Sequence, residues 1–86
     1  MNWKVLVHSK VKKDINKFPS KDSDRIKKSI RVFEIDPFFG NIMKIEGEKN
    51  AWRKRVGNYR IFYELFPEKN IVFVYKVKRK TTTTYN

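Results

Sequence analysis

Four arginines in the second half of this 86-residue chain are the residues whose chemistry is easiest to interpret. Arg53 and Arg55 are followed closely by Arg60, and Arg79 lies near the end of the sequence. A guanidinium group is planar, always charged and able to bind two phosphate oxygens at once. A cluster of such groups therefore favours phosphate binding as the first hypothesis for this sequence.

The composition disfavours most other kinds of catalytic or metal site. There is no cysteine, which excludes a disulfide scaffold, a thiolate metal site and a catalytic thiol. His8 is the only histidine, so neither a histidine-rich metal site nor a Ser-His-Asp triad is expected. We therefore predict a site that needs no metal and no cofactor.

The net charge indicates the kind of partner. Lys and Arg number 21 against 9 Asp and Glu, which gives a formal charge of +12. In residues 49–86 the only acidic side chains are Glu64 and Glu68, so most of the excess lies there. Such a charge favours a polyanionic partner, which is a nucleic acid, an acidic protein or a membrane surface. A basic surface that is simply solvated is the alternative.

Length and hydropathy limit the organisation of the chain. A chain of this length has room for one domain, so residues 1–86 are predicted to form a single unit. No apolar run is long enough to span a membrane, and the N-terminus does not resemble a signal peptide. We expect a soluble, cytoplasmic protein.

The order of the predicted elements indicates an α+β fold. Residues 2–8 are rich in strand formers, and apolar residues then recur at helical spacing in two segments that end at Pro19 and Pro37. After a short extended piece over residues 42–45, three more strands are predicted over residues 51–56, 59–65 and 71–77. The β-α-α-β-β-β order predicts an N-terminal strand and a helical hairpin packed on a mainly antiparallel four-stranded sheet.

The dipeptide Gly57-Asn58 fixes the register of one hairpin. It is a two-residue loop signal, so Arg55 should face Arg60 across the ladder. Strand side chains alternate between faces. The face expected to meet the helices then holds Trp52, Lys54, Val56, Tyr59, Ile61, Tyr63 and Leu65. The opposite, open face holds Arg53, Arg55, Arg60, Phe62 and Glu64.

Two arginines that face each other on the open face are unfavourable for folding alone. Like charges directly opposite across a ladder repel and lower stability. An anion bound across Arg55 and Arg60 would turn that repulsion into binding, which favours a phosphate site. The alternative is that Arg60 pairs with Glu64 or Glu46 while the other arginines extend into solvent.

The last predicted strand brings more positive charge toward the hairpin, through Lys76, Lys78, Arg79 and Lys80. The turn over residues 66–70 does not fix its register. A slip of one residue exchanges Lys78 for Arg79 on the face of the arginines. The alternative is that this basic run only makes the chain more soluble.

Three aromatic residues lie among these charges and are candidates for stacking on unstacked bases, namely Phe62, Tyr75 and Tyr85. Packing within the sheet is the simpler explanation for Phe62 and Tyr75, because strands favour aromatic residues. Tyr85 follows a polar run, where no core position is expected.

Four segments carry a family resemblance: residues 44–47 (KIEG), 52–63 (WRKRVGNYRIFY), 71–77 (IVFVYKV) and 78–80 (KRK). Together with the element order, they resemble the RelE/ParE superfamily of toxins. The resemblance implies a toxin of a toxin–antitoxin pair. RelE-like members cleave messenger RNA in the ribosomal A site without a metal ion, and a cognate antitoxin that wraps the toxin silences them.

The resemblance also implies roles for individual residues. Arg53 and Arg55 match the basic pair before the hairpin turn, and Arg60 matches the arginine after the turn tyrosine. Arg79 matches the arginine after the last strand, and Tyr85 matches the late tyrosine beyond it. One branch of the superfamily pairs a late histidine with a glutamate; that histidine is missing from this sequence, so we do not assign that mechanism.

On this basis we expect a 2′-hydroxyl of RNA to attack the adjacent phosphate. Arg60 and Arg79 are predicted to clamp that phosphate, and Tyr85 to stack on a base or to move a proton. Lys78 is the better candidate for the base, because Lys54 lies on the predicted core face. The substrate backbone is expected to contact Arg53, Arg55 and Lys80.

Two other functions are compatible with the sequence. A ParE-like toxin has the same fold but inhibits DNA gyrase, and a non-enzymatic module would only grip RNA phosphates. The concentration of arginines with a late tyrosine favours the nuclease. The partners expected for it are messenger RNA, the ribosome and an acidic cognate antitoxin.

Overall fold

The computed structural model describes residues 2–80, and its helices and strands follow the predicted order. Two helices lie on one mixed sheet, which confirms the α+β class. Within this range, neither helix is long and apolar enough to cross a bilayer. The elements are β1 (Lys4–Val7), α1 (Ser9–Lys17), α2 (Ser20–Val32), β2 (Ile42–Lys44), β3 (Ala51–Val56), β4 (Tyr59–Phe66) and β5 (Ile71–Arg79), with a 3-10 turn at Pro67–Lys69.

The sheet has five strands, in the order β1-β5-β4-β3-β2. The sequence predicts four, because a three-residue segment has too little pattern to show that it pairs. In the structure β2 runs antiparallel to β3, with Met43 opposite Arg53. β1 runs parallel to β5, and the other neighbouring strands are antiparallel.

The helices cover the face of the sheet that the alternation of β3 and β4 predicts. Apolar stripes on α1 and α2 meet alternate residues of β4 and β5. The residues buried between these layers are Val11, Ile15, Ile26, Ile30, Phe33, Tyr59, Ile61, Tyr63, Leu65, Val72, Val74 and Val77. The other face of the sheet, which we call the open face, is not covered by a helix of the described chain.

Tyr63 anchors the segment that leads from α2 to β2. It is fully buried, its ring centre lies 4.3 Å from that of Phe33, and its hydroxyl donates a 2.6 Å hydrogen bond to the carbonyl oxygen of Pro37. Burial raises the pKa of the Tyr63 hydroxyl, and the negative charge of Asp36 adds to this effect. The hydroxyl therefore stays protonated and holds the segment against the core.

Gly57 allows the tight turn between β3 and β4. Its φ of +57° lies in the left-handed region, where a side chain is disfavoured. A Cβ atom at this position would also lie 3.1 Å from the guanidinium nitrogens of Arg25. Arg25, on α2, therefore packs against the turn at the end of the hairpin.

Candidate phosphate-binding site

Three arginines and two residues from the β2 edge line one small cleft on the open face of the sheet. The cleft has a volume of about 90 Å³ and is lined by Asn41, Met43, Arg53, Arg55 and Arg60. We refer to it as the arginine cleft. Arg55 stands directly opposite Arg60 in the ladder of β3 and β4, which confirms the register predicted from the turn.

Contacts from the β2 edge hold the wall of the arginine cleft in place. The backbone N–H of Arg55 donates to the carbonyl oxygen of Asn41 at 2.9 Å. A guanidinium nitrogen of Arg53 donates to the sulfur of Met43 at 3.2 Å. Sequence reasoning misses Asn41 and Met43, because only the pairing of β2 with β3 brings them to the arginines.

No carboxylate lines the arginine cleft in the described residues, although Glu46 lines a neighbouring concavity with Arg53. In the part of the chain that the structure describes, no ion pair joins Arg53, Arg55 or Arg60 to an acidic side chain. Glu64 is four residues from Arg60 along β4, which corresponds to about 13 Å in a strand. The alternative in which Arg60 pairs with Glu64 or Glu46 is therefore wrong for this structure.

A β-bulge in the ladder of β4 and β5 decides which basic residues of β5 reach the open face. Phe62 pairs with Lys76, whereas the next residue, Tyr63, pairs with Val74. Tyr75 is therefore an extra residue in β5, and it shifts the alternation of faces by one position. No turn signal in the sequence predicts this bulge.

Beyond the bulge, Lys78 is opposite Arg60 and Arg79 is opposite Tyr59. Lys78 therefore shares the face of the arginine cleft. Arg79 does not, because its guanidinium carbon lies 5.9 Å from the centre of the Tyr59 ring, which packs on Phe18 of the helical layer. The structure does not bring Arg79 together with Arg60, and their joint clamp on one phosphate stays a prediction.

The other predicted residues lie beside the hairpin turn or beyond the described range. Lys80 is exposed, and its backbone N–H donates to the carbonyl oxygen of Asn58 at 2.6 Å. Tyr85 lies outside the residues that the structure describes. Arg25, which no sequence signal selects, adds a further cation at the turn.

Lys54 is buried on the helix-facing side of β3 and does not line the arginine cleft. It is only 6% exposed, and its ammonium nitrogen lies 5.2 Å from the centre of the Phe33 ring and 5.9 Å from that of Phe39. Burial lowers the pKa of the Lys54 ammonium, and the negative charge of Asp36 opposes this only in part. Its position agrees with the preference for Lys78 as the residue that faces a substrate.

We predict that Lys54→Met changes the pH dependence of stability. The folded state lowers the pKa of Lys54, so the wild-type protein gains stability as the pH rises from the folded pKa toward the unfolded value of 10.5. Methionine does not titrate. In urea unfolding between neutral pH and about pH 10.5, the stability of Lys54→Met relative to wild type should therefore fall as the pH rises.

The titration of tyrosines does not affect the difference in stability between Lys54→Met and wild type. Tyr59, Tyr63 and Tyr75 have raised pKa values in the folded state, so they remove stability at alkaline pH. They are present in both proteins, and their effect cancels in the difference. A difference in stability that stays constant with pH would contradict the burial of a charged ammonium at Lys54.

The fold and the basic cleft place the chain among the toxins of the RelE/ParE superfamily, as the sequence resemblance predicts. The family model for the ParE toxin of type II toxin–antitoxin systems matches residues 5–82, and the chain belongs to this family. It is also 24% identical over 83 residues to a protein named as toxin RelE1 from Methanocaldococcus jannaschii. The matched region covers 93% of this chain and 92% of that protein.

Solved structures confirm the fold. A chain of the archaeal RelE–RelB complex from Pyrococcus horikoshii matches with a TM-score of 0.83 and 23% identity, over 96% of this chain and 100% of that one. The isolated RelE toxin of E. coli matches with a TM-score of 0.79 and 21% identity, over 94% of this chain and 87% of that one. A chain of the RelB–RelE complex from Methanococcus jannaschii matches with a TM-score of 0.72 and 28% identity, over 86% of this chain and 88% of that one.

Proposed function

We propose that this toxin is a metal-independent endoribonuclease that cleaves messenger RNA in the ribosomal A site. The observation that supports it most directly is the arginine cleft, where Arg53, Arg55 and Arg60 line one concavity. Guanidinium groups in this arrangement suit a phosphodiester, whose oxygens accept paired hydrogen bonds. The similarity to proteins named RelE supports the same function.

The proposed reaction is an internal transfer within the RNA strand. The 2′-oxygen forms a bond to the adjacent phosphorus, and the bond from that phosphorus to the 5′-oxygen of the next nucleotide breaks. A base accepts the proton of the 2′-hydroxyl, and an acid returns a proton to the departing 5′-oxygen. Negative charge builds on the phosphoryl oxygens between these events, where the guanidinium groups stabilise it.

Each residue of the site has a proposed role in this reaction. Arg60 contacts the reacting phosphate, and Arg55 supports it from the opposite strand. Lys78, opposite Arg60 on β5, is the candidate for proton transfer. Arg79 is proposed as a second clamp, a role for which its guanidinium would have to turn from the Tyr59 ring toward the arginine cleft. Tyr85 is proposed to stack on a base or to move a proton. The flanking RNA backbone is assigned to Arg53 and Lys80. This set is weak in acid–base groups, so positioning by the ribosome would supply part of the rate.

The proposed protein partner is a cognate antitoxin. The structures from P. horikoshii and M. jannaschii are complexes of a toxin with its antitoxin. A formal charge of +12 favours an acidic partner, because opposite charges speed association and disfavour wrong partners. The site of action would be the cytoplasm, where translated transcripts are found.

Mapping of transcript 5′ ends after brief expression of the toxin tests the proposed function. We expect new ends inside translated codons with the wild-type chain and none with the triple variant Arg53→Ala, Arg55→Ala, Arg60→Ala. A matched variant that removes three exposed helix charges, Lys10→Ala, Lys13→Ala, Lys28→Ala, should cut as the wild type does. Intact transcripts in cells whose growth the wild-type chain arrests would overturn the proposal.

Inhibition of DNA gyrase is the second candidate, and the match to the ParE family model favours it. A gyrase inhibitor would arrest growth while transcripts stay intact, and it would block supercoiling by purified gyrase. Supercoiling assays on the same protein preparations therefore separate the two functions. A chain that binds RNA but neither cuts it nor inhibits gyrase would be a binding module.

A further inference from the structure

A continuous groove leads from the arginine cleft along the open face of the sheet. Next to the cleft lies a concavity of about 270 Å³, which shares Met43 and Arg53 with the cleft and extends to Ile45 and Phe62. Beyond it lies a larger concavity of about 490 Å³, which shares Ile45 and Phe62. We call this larger concavity the aromatic trough. Its side-chain walls come mainly from Ile45, Glu48, Phe62, Glu64, Tyr75 and Lys76.

Aromatic rings form the floor of the aromatic trough. The ring centres of Phe62 and Tyr75 are 6.4 Å apart, and the ammonium of Lys76 lies 5.6 Å from the centre of the Phe62 ring. Both rings are partly exposed, because they lie on the open face. The bulge brings Tyr75 and Lys76 to the same face, whereas regular alternation would put them on opposite faces. Neither ring belongs to the core under the helices.

Two carboxylates stand at the side of the aromatic trough. Glu48 and Glu64 both line it. Burial raises the pKa of the Tyr75 hydroxyl, and the negative charges of Glu48 and Glu64 add to this effect. An ionised carboxylate can only accept hydrogen bonds. A ligand that fits must therefore be flat, to lie on the rings, and must present N–H donors.

We propose that the aromatic trough binds an unstacked nucleobase of the RNA whose phosphate lies in the arginine cleft, and that it prefers bases with an amino group over uracil. This inference rests on the proposed function and assigns it a specificity site. Phe62 is two residues from Arg60 along β4, about 7 Å, a distance that one nucleotide spans between phosphate and base. Adenine, cytosine and guanine each carry an exocyclic amino group with two N–H donors, whereas uracil offers only the single donor of its ring N3–H.

Charge distinguishes this occupant from a segment of the antitoxin. The arginine cleft attracts phosphate, whereas Glu48 and Glu64 would repel an acidic peptide that lay along the aromatic trough. A neutral base meets no such repulsion, and its amino group satisfies the carboxylates. A nucleotide therefore fits both ends of the groove, and an acidic peptide fits only one.

Binding of short single strands to the purified full chain tests this inference. The probes are trinucleotides with 2′-fluoro sugars, which lack the attacking hydroxyl and stay intact during a fluorescence anisotropy titration. One position at a time carries adenine, cytosine, guanine, uracil or no base. We expect the wild-type chain to bind the amino-bearing probes most tightly, the uracil probe less tightly and the abasic probe least.

Variants of the aromatic trough should change this ranking in defined ways. Phe62→Ala should weaken binding of base-bearing probes by about 5- to 150-fold and leave the abasic probe unchanged, since base–aromatic stacking is lost. The double variant Glu48→Gln, Glu64→Gln should remove the preference over uracil, because an amide both donates and accepts. Phe73→Ala is the matched control, because Phe73 lies beside Tyr75 but does not line the trough.

Several outcomes would overturn the inference. Equal losses for abasic and base-bearing probes in Phe62→Ala would exclude a base in the trough, as would an unchanged affinity for all of them. A loss of antitoxin binding without a loss of probe binding would make the trough a protein surface. Failure of the proposed function has a different signature, because transcripts would then stay intact during growth arrest whatever the ranking of the probes. A wild-type chain that binds no probe but cuts transcripts would overturn the inference and leave the proposed function standing.

Discussion

Replacing Arg60 with alanine is expected to lower the rate of transcript cleavage by about 100- to 1000-fold. Arg60 lines the arginine cleft and stands between Arg55 on one neighbouring strand and Lys78 on the other. A donor in that position gains strength as negative charge builds on the phosphoryl oxygens, so its loss affects the transition state most. Stability should not fall, because the substitution removes a repulsive neighbour from the ladder.

Arg60→Lys separates the contribution of charge from that of geometry. Lysine keeps the positive charge but cannot hold two oxygens in a fixed arrangement. The cleavage rate of Arg60→Lys should therefore lie between those of wild type and Arg60→Ala. Lys28→Ala removes one exposed charge from α2 and should cleave at the wild-type rate. Single-turnover cleavage on programmed ribosomes measures all three variants. Equal losses for Arg60→Ala and Lys28→Ala would mean that overall charge, and not the arginine cleft, governs cleavage.

Phe33→Ala is expected to cause the largest loss of stability, about 3–5 kcal/mol. Phe33 is fully buried, and its ring centre lies 4.3 Å from that of Tyr63 and 5.2 Å from the ammonium of Lys54. Alanine would remove these contacts and leave a cavity between α2 and the sheet. Because a domain has only about 5–15 kcal/mol of stability in total, the variant should be close to unfolding.

Urea unfolding followed by tryptophan fluorescence measures this loss, since Trp3 and Trp52 pack against the core. Ile35→Ala is the matched control, because Ile35 is two residues from Phe33 and is 75% exposed. Its stability should differ from wild type by no more than about 0.5 kcal/mol. Comparable losses for the two variants would contradict the packing of Phe33.

The hairpin of β3 and β4 can be predicted residue by residue because its register is set locally. A two-residue loop at Gly57 permits one pairing, and the alternation of side chains then assigns each residue to a face. The opposition of Arg55 to Arg60 and the burial of Lys54 both follow from these rules. The opposition of Arg55 and Arg60 in the arginine cleft can therefore be predicted from the sequence.

The contribution of β5 and β2 could not be predicted in this way. The register of β5 depends on the bulge at Tyr75, which arises from the pairing of two strands and leaves no signature in the turn between them. For this reason, the sequence alone does not show whether Lys78 or Arg79 lies on the face of the arginine cleft. Asn41 and Met43 are missed for a related reason. A strand as short as β2 can be recognised only through its pairing with β3.

The backbone hydrogen bond between Lys80 and Asn58 has a consequence for how the protein can be fused to other sequences. Lys4 donates to the carbonyl oxygen of Asn70 at the opposite end of β5, and nine residues of strand separate the two ends by about 30 Å. Of the two ends of the described chain, Lys80 therefore lies at the end of the sheet that carries the hairpin turn, and Lys4 lies at the other end. A tag placed on the side of Lys4 is the better choice for assays, because Lys4 lies near the end of the described chain that is far from the arginine cleft.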